Sequence, residues 1–481
     1  MAQMTVADVA AHAFLVDGKW IEDGEMLEVK APYDGTVVGR FFQGNRQHAE
    51  AAIAAAVKAF GTTRRLPAFE RQRVLRRVSE GIAQRKEEFS RTLCQEAGKP
   101  IKLARAEVER AIFTFTVAAE ESTRIYGEYL PLDWQEYTAG RWGIVRRFPL
   151  GPIAGITPFN FPLNLVAHKV APAIAAGCPM VLKPAPQTPL CSLLLAEVVQ
   201  QAGWPDGALN VLPLSNEDAS VLVADDRLKM ISFTGSTAVG WQIKKNSGKK
   251  KVVLELGGNA GVIVHSDSDV AYAAERCVAG GFGYAGQTCI SVQRILVEHS
   301  VYGKFTDALL SGVKELKTGD PLEATTDVGP LIRESDAVRA TEWVQEAVRG
   351  GARLLCGGAR HGSIMEPTVL TGTKHDMKVN CQEIFAPVVS IEPYNDFNDA
   401  VREINHSAYG LQAGIFTRDA KLMFQAYEEL EVGGLVAGDV PSFRIDHMPY
   451  GGIKDSGLGR EGLRYAIEEM TEPKLMVMNL R

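Results

Sequence analysis

The spacing of hydrophobic positions divides this chain into blocks of different period. Residues 13–25, AFLVDGKWIEDGE, alternate apolar and polar around an Asp-Gly pair, which predicts a short hairpin. Residues 48–60 are alanine-rich, and 68–92 and 100–123 place apolar residues at helical spacing between many Arg and Glu, so each predicts a helix. The charged runs in these segments read as solvated helix faces. At 125–150, YGEYLPLDWQEYTAGRWGIVRRFPLG, the period falls to two and aromatics and Gly accumulate, predicting a β-ribbon.

From 152 to about 265, short apolar runs (IAGIT, MVLKP, LNVLP, MISFT, KVVLEL) alternate with helical patterns at 161–175, 188–203, 215–224 and 236–246. Strand–helix alternation of this kind predicts a parallel sheet covered by helices on both faces. A second alternating stretch runs from about 260 to 440, with AGVIVH, QRILVE, PTVL and VSIEPY as its strands. The expected class is therefore α/β, with two parallel-sheet domains and a cleft between them at the carboxyl ends of the strands. The final EPKLMVMNL is apolar and extended; it could pair with the 125–146 ribbon of its own or of a partner subunit.

Composition adds exclusions. Of 481 residues, 46% are hydrophobic and 23% charged, which rules out a largely disordered chain. Lys plus Arg number 52 and Asp plus Glu 58, a net charge of −6, so nothing draws the protein as a whole to phosphate backbones and no nucleic-acid partner is expected. Seven cysteines, an odd number with no C-x-x-C spacing, suit free thiols in a reducing compartment. The N-terminus lacks a basic segment followed by an apolar core, and no run reaches the ~18 apolar residues of a membrane span. The expectation is a cytoplasmic protein with no membrane association. No H-E-x-x-H motif is present and the nine His are scattered, so no metal is expected.

Four segments carry candidate chemistry. FTGSTAVG, 233–240, runs from a strand through a Gly turn into a helix start, where free N–H groups and the positive dipole end suit a phosphate. VLKPAPQTP, 181–189, ends a strand on Lys183; ELGGNA, 255–260, sets a carboxylate beside two glycines; GQTCIS, 286–291, presents Cys289 after a Gly-rich approach. Each alone has an ordinary alternative: a tight turn, a surface lysine, a strand-end Glu, a buried thiol acting as a small hydrophobe.

Together with TPFNFP at 157–162, EIFAP at 383–387 and PYGGIKDSGLGREG at 449–462, these segments resemble, in order and over nearly the whole chain, the aldehyde dehydrogenase superfamily. The resemblance implies a nicotinamide-binding domain (1–124 and 147–256), a catalytic domain (257–445) and an oligomerisation arm (125–146 and 465–481), in a homodimer or homotetramer. It implies oxidation of a small aldehyde to the acid. Cys289 is similar to the family nucleophile, Asn160 to the side-chain donor that holds the oxyanion with the Cys289 N–H, and Glu255 to the base that activates water. Lys183 looks like a ribose contact, Gly235 and Ser236 would lie at the pyrophosphate, Glu383 at the nicotinamide ribose and Phe385 near the ring. Thr157, Pro158, Phe159, Ala185, Pro186 and Leu256 complete the implied cofactor contacts. The presence of Glu255 favours hydrolysis over transfer to CoA, and Cys289 with Asn160 favours an enzyme over a non-catalytic homologue.

EIFAP and the loop PSFRIDHMPYGG, 441–452, resemble the lactaldehyde/glyceraldehyde-type branch. By that resemblance Arg110, His168, Thr288, Arg444 and His447 are the expected substrate residues, favouring a small polar or anionic aldehyde. Thr288 replaces an Arg that grips phosphate-like groups in some members, which argues against a phosphorylated substrate. Many NAD-preferring members carry a Glu three residues after the strand-end Lys. Pro186 stands there instead, so a 2′-phosphate meets less repulsion and both NAD and NADP are expected to serve.

Overall fold

The computed structural model describes residues 11–479; residues 1–10 and 480–481, the outer ends of the first domain span and the arm, lie outside the described residues. Two large sheets organise the chain. The first is eight-stranded, and its five central strands (Lys251–Glu255, Met230–Thr234, Ile153–Ile156, Met180–Lys183, Leu209–Val211) run parallel in that spatial order. All of them fall on the apolar runs read from the sequence. Antiparallel edges close the sheet: Gly457–Leu458 beside Lys251–Glu255, and the hairpin Phe14–Val16/Lys19–Ile21 beside Leu209–Val211. The helix Asn164–Ala176 is buried at every position, because helix Ile101–Glu121 covers its outer side while the sheet covers its inner side.

The second sheet is seven-stranded, in the order Arg353–Cys356, Thr368–Thr371, Val388–Tyr394, Val292–Glu298, Ala260–Val264, Gln412–Phe416, Gly434–Ala437. All but the first strand are parallel to their neighbours. Each sheet has its own apolar core, which is how α/β layers bury two-faced apolar strands. The seven cysteines are all free thiols. Among the described residues, no helix is long and apolar enough to cross a membrane.

Three details depart from the reading of the sequence. The 68–92 segment is two helices, Ala68–Gln84 and Lys86–Ala97, broken at Arg85, whose guanidinium holds Glu88 and Glu197. The helix expected at 215–224 is only Ser220–Ala224. Glu107, within a segment read as a solvated helix face, is buried, as are Glu96 and Lys99 before it. Glu96 accepts from the backbone N–H groups of Leu190 and Cys191, and Lys99 pairs with Glu107. The C-terminal strand Thr471–Asn479 pairs antiparallel with Arg141–Pro149 of its own chain along its whole length.

Candidate active site

The carboxyl ends of the first sheet's strands meet the amino ends of the second sheet's at a cavity of about 330 Å³, so the expected carboxyl-end cleft holds for the first sheet alone: Leu256, Cys289 and Phe385 precede strands Ala260–Val264, Val292–Glu298 and Val388–Tyr394. Its walls include Cys289, Asn160, Glu255, Glu383, Arg110 and Arg444. Helix Val270–Phe282, capped by the Asp269 side chain on the Tyr272 N–H, leads to the nucleophile loop. There Tyr284 and Ala285 adopt left-handed φ values of 51° and 52° before Gly286 at 70°. Non-glycine residues hold that conformation only when their surroundings over-determine it. Here the Tyr284 hydroxyl donates to Ala97 O at 2.9 Å, and the Gln287 amide accepts from the Ile332 N–H and donates toward Pro330 O. The loop delivers Thr288 and Cys289 to the cavity wall.

Cys289 Sγ lies 3.0 Å from Tyr450 Oη. Burial pushes its thiol up to about 12, against the Tyr450 hydrogen bond that draws it down. Asn160, 5% exposed, follows strand Ile153–Ile156; its amide donates to Gln287 O at 3.0 Å, on the nucleophile loop. Its carbonyl accepts from Lys99 Nζ at 2.8 Å. Lys99 also lies 3.7 Å over the Phe161 ring, and its partner Glu107 accepts from the N–H groups of Leu163 and Asn164. A buried ion pair thus fixes the backbone on both sides of Phe161.

Glu255 ends strand Lys251–Glu255, 2% exposed, and neither carboxylate oxygen has a hydrogen-bond partner in the protein. Burial raises its pKa well above the usual carboxylate range, Glu461 raises it further, and Arg444 and Lys169 oppose the rise. The two glycines that follow are dictated by contact. A Cβ on Gly257 would fall 2.4 Å from the Glu383 carboxylate, and one on Gly258 would fall 2.1 Å from Cys289 O. Glu383 accepts from the Gly258 N–H at 2.9 Å, and burial lifts its pKa to about 7. Phe385, at a left-handed φ of 52°, meets Phe159 edge to face.

The remaining expected cofactor residues sit at the carboxyl ends of the first sheet. Pro158, Phe159, Gly235, Ser236 and Leu256 line the cavity. Thr157, Lys183, Ala185 and Pro186 lie beyond it, at the ends of Ile153–Ile156 and Met180–Lys183. Helix Thr237–Asn246 starts at Ser236, whose hydroxyl makes no cap. The Thr157 hydroxyl is buried without a partner. Lys183 Nζ reaches only Pro184 O at 3.5 Å, and burial lowers its pKa to about 8. A buried polar group without a partner is costly, so this edge fits a polar ligand that would complete it, as a dinucleotide does.

The expected substrate residues divide. Arg110, Thr288 and Arg444 line the cavity. Arg110 binds Asp446 through two nitrogens, and Arg444 binds Glu461 at 3.0 Å while stacking 3.7 Å over the Tyr450 ring. Arg444 Nε is buried and unpartnered. His168 does not reach the cavity: it is 2% exposed and its Nε2 meets Asp446 Oδ1 at 2.7 Å. The helical turn after Asn160 points it into the packed side of the 441–450 loop. His447 is exposed outside the cavity, edge-on to Phe113. Reading the sequence missed Tyr450, Lys99 with Glu107, Lys169 and Glu461. Tyr450 lies inside a motif already noted, PYGG. Lys169 and Glu461 pair at 3.2 Å beneath Glu255, and Lys169 Nζ also donates to Thr234 Oγ1 at 2.7 Å.

A thiol, a side-chain amide and a buried carboxylate in one cavity, between two parallel sheets, define a class of cysteine-dependent oxidoreductases. Residues 20–476 match the aldehyde dehydrogenase family, and the chain belongs to it. It is an NAD(P)-dependent aldehyde dehydrogenase. It is 42% identical to the 3-sulfolactaldehyde dehydrogenase of Priestia aryabhattai, covering 99% of this chain and 100% of the relative. The structure superposes on aldehyde dehydrogenase 21 from Physcomitrella patens, in complex with the reaction product succinate, with a TM-score of 0.97 at 46% identity, covering 98% of each chain. It also superposes on the glyceraldehyde-3-phosphate dehydrogenase of Methanocaldococcus jannaschii, complexed with NADP, with a TM-score of 0.92 at 39% identity, covering 95% of this chain and 100% of the other.

Proposed function

We propose that this enzyme oxidises a small aldehyde bearing a second, anionic group, through a thioester on Cys289. The observation that carries the anionic part is Arg444 Nε, a charged donor buried at the cavity without a partner. An oxyanion on the substrate, shared with Arg110, would satisfy it. The similar proteins named above act on or hold molecules with sulfonate, carboxylate or phosphate groups. Thr288 offers no cation for a phosphate, which leaves carboxylate and sulfonate aldehydes as the favoured class.

Cys289 Sγ attacks the aldehyde carbon, and the resulting alkoxide is held by the Asn160 amide and the Cys289 N–H. Losing one such donor typically costs ~10²–10³ in rate. Lys183, Gly235, Ser236, Glu383 and Phe385 would hold the dinucleotide, with Thr157, Pro158, Phe159, Ala185, Pro186 and Leu256 around it. Bound there, its nicotinamide would supply the two-electron acceptor needed for a thioester on Cys289. Glu255 takes a proton from the water that hydrolyses the thioester.

The spans 1–124 with 147–256 form the dinucleotide domain and 257–445 the catalytic domain. The arm, 125–146 with 465–481, exposes Tyr129, Trp134, Leu475, Met476 and Val477, an apolar ribbon suited to a second copy of this chain in a homodimer or homotetramer. The test of the substrate class is a panel of succinate semialdehyde, lactaldehyde, glyceraldehyde and benzaldehyde with wild type and Arg444→Gln. The proposal expects the semialdehyde to lead and Arg444→Gln to raise its KM selectively. Turnover confined to benzaldehyde, or an equal change for every aldehyde, would overturn it.

A further inference from the structure

A second group of chemistry-bearing side chains lies on the seven-stranded sheet's side of the molecule, away from the catalytic cavity. Helix Phe397–Asn405 carries Glu403 in its last turn and is followed directly by His406 as its C-cap, at φ −74° and ψ 57°. The sequence Glu403-Ile404-Asn405-His406 spaces a carboxylate and an imidazole three residues apart, which brings them together at a helix end. His375 enters from the turn after strand Thr368–Thr371 and sets Nδ1 3.8 Å from Glu403 Oε1. The His375 and His406 rings stack face to face, with centroids 3.4 Å apart and planes 4° apart. One ligand atom from each of the three residues lies within 4.8 Å of the others.

Among the described residues, these side chains make no hydrogen bond or ion pair outside the cluster itself. The carbonyls at the helix end are already occupied: Arg294 donates to Glu403 O at 2.8 Å and Ile404 O at 3.1 Å, and Lys454 donates to Asn405 O at 2.8 Å. Among the described residues, neither cation pairs with the Glu403 carboxylate; Lys454 is taken by Glu431. The cluster opens on a cavity of about 360 Å³ that His375 and Glu403 line together with Asp399, Asn380 and Thr373. Water can therefore fill further positions around anything held there.

We infer that His375, Glu403 and His406 form a site for a divalent transition cation of the zinc class, separate from the catalytic cavity. Two imidazoles select zinc, nickel, cobalt or copper over magnesium or calcium, which prefer an all-oxygen shell. Three protein ligands leave a fourth position for water. In the stack the ring lone pairs lie in parallel planes, so loading turns the exposed His406 ring out of the stack toward Glu403, while the half-buried His375 keeps its place. The cation then ties the 372–377 turn to the end of helix Phe397–Asn405. Reading the sequence passed over this because His375 and His406 come from separate turns and only the fold brings them into contact.

The experiment is a zinc titration of the whole enzyme by calorimetry, repeated on Cys289→Ser to remove the active-site thiol as a competing ligand. The expected result is one saturable zinc per chain, retained in Cys289→Ser and weakened at least ~10-fold in both His406→Ala and His375→Ala. Cobalt loaded in place of zinc should show no thiolate charge-transfer band. Zinc should raise the thermal midpoint of wild type but not of His406→Ala, whose exposed side chain makes a folding failure improbable as a cause. Absence of saturable zinc in Cys289→Ser, or wild-type zinc affinity retained in His406→Ala or His375→Ala, would overturn the assignment.

Discussion

Tyr450 Oη stands 3.0 Å from Cys289 Sγ, joining the nucleophile loop to a residue 161 positions further along the chain. Burial holds the thiol high, and this hydroxyl is the one hydrogen-bonding side chain that lowers it. Tyr450→Phe keeps the ring that Arg444 stacks on and removes only that bond. Inactivation by iodoacetamide should slow by about 10-fold, as the loss of one hydrogen bond to a charged group implies, and its pH dependence should move upward. An unchanged alkylation rate across pH would show that Tyr450 does not govern the thiol.

Glu255 and Cys289 divide the reaction into two measurable halves. Cys289→Ala should abolish dehydrogenase activity, and Glu255→Gln should form the thioester and stall. The pH sign follows from burial. Glu255 works as the carboxylate, and its pKa is raised, so its active form goes on gaining as pH rises above the ordinary carboxylate range. Single-turnover thioester hydrolysis should therefore quicken with pH in wild type and lose that limb in Glu255→Gln. Arg444 opposes the rise, so Arg444→Gln should move the limb to still higher pH. Hydrolysis independent of pH in wild type would contradict the base role.

The five central strands of the first sheet and four of the second were legible because buried parallel strands are short apolar runs bounded by turns, and MISFT or KVVLEL can be little else; Arg353–Cys356, Gln412–Phe416 and Gly434–Ala437 were not read. The break at Arg85 was not, since its cause is a contact with Glu197 from another helix. The same limit applies at the site. Cys289, Asn160 and Glu255 stood out by motif, whereas His168 was assigned to the substrate because helical position alone does not reveal that Asp446, from a distant loop, claims its ring. Glu107 was read as part of a solvated helix face; its pairing with Lys99 is set by how helix Ile101–Glu121 packs against the 159–164 turn.

That pair carries a stability prediction. Both side chains are 1% exposed, so Lys99→Met leaves Glu107 charged and buried with only two backbone donors. Removing one partner of such a pair costs ~3–5 kcal/mol. Urea unfolding should show a loss of that order, with a lower kcat because Asn160 O loses its donor. Lys99→Met with Glu107→Gln should recover part of the stability. An undiminished unfolding midpoint in Lys99→Met would refute the account.

Cofactor choice is expected to turn on Pro186, three residues after Lys183 ends its strand. Pro186 is exposed and uncharged, so nothing at that position repels a 2′-phosphate, and Lys183 Nζ has only a weak contact of its own to lose. Wild type should accept both NAD and NADP with comparable kcat/KM. Pro186→Glu should place a carboxylate beside the ribose and selectively raise the KM for NADP, by about 10-fold or more if a like charge costs ~1.4 kcal/mol there. The comparison needs low and high salt, because screening at an exposed residue shrinks the effect. Strict rejection of NADP by wild type, or an equal response of both cofactors to Pro186→Glu, would show that preference is set by another residue.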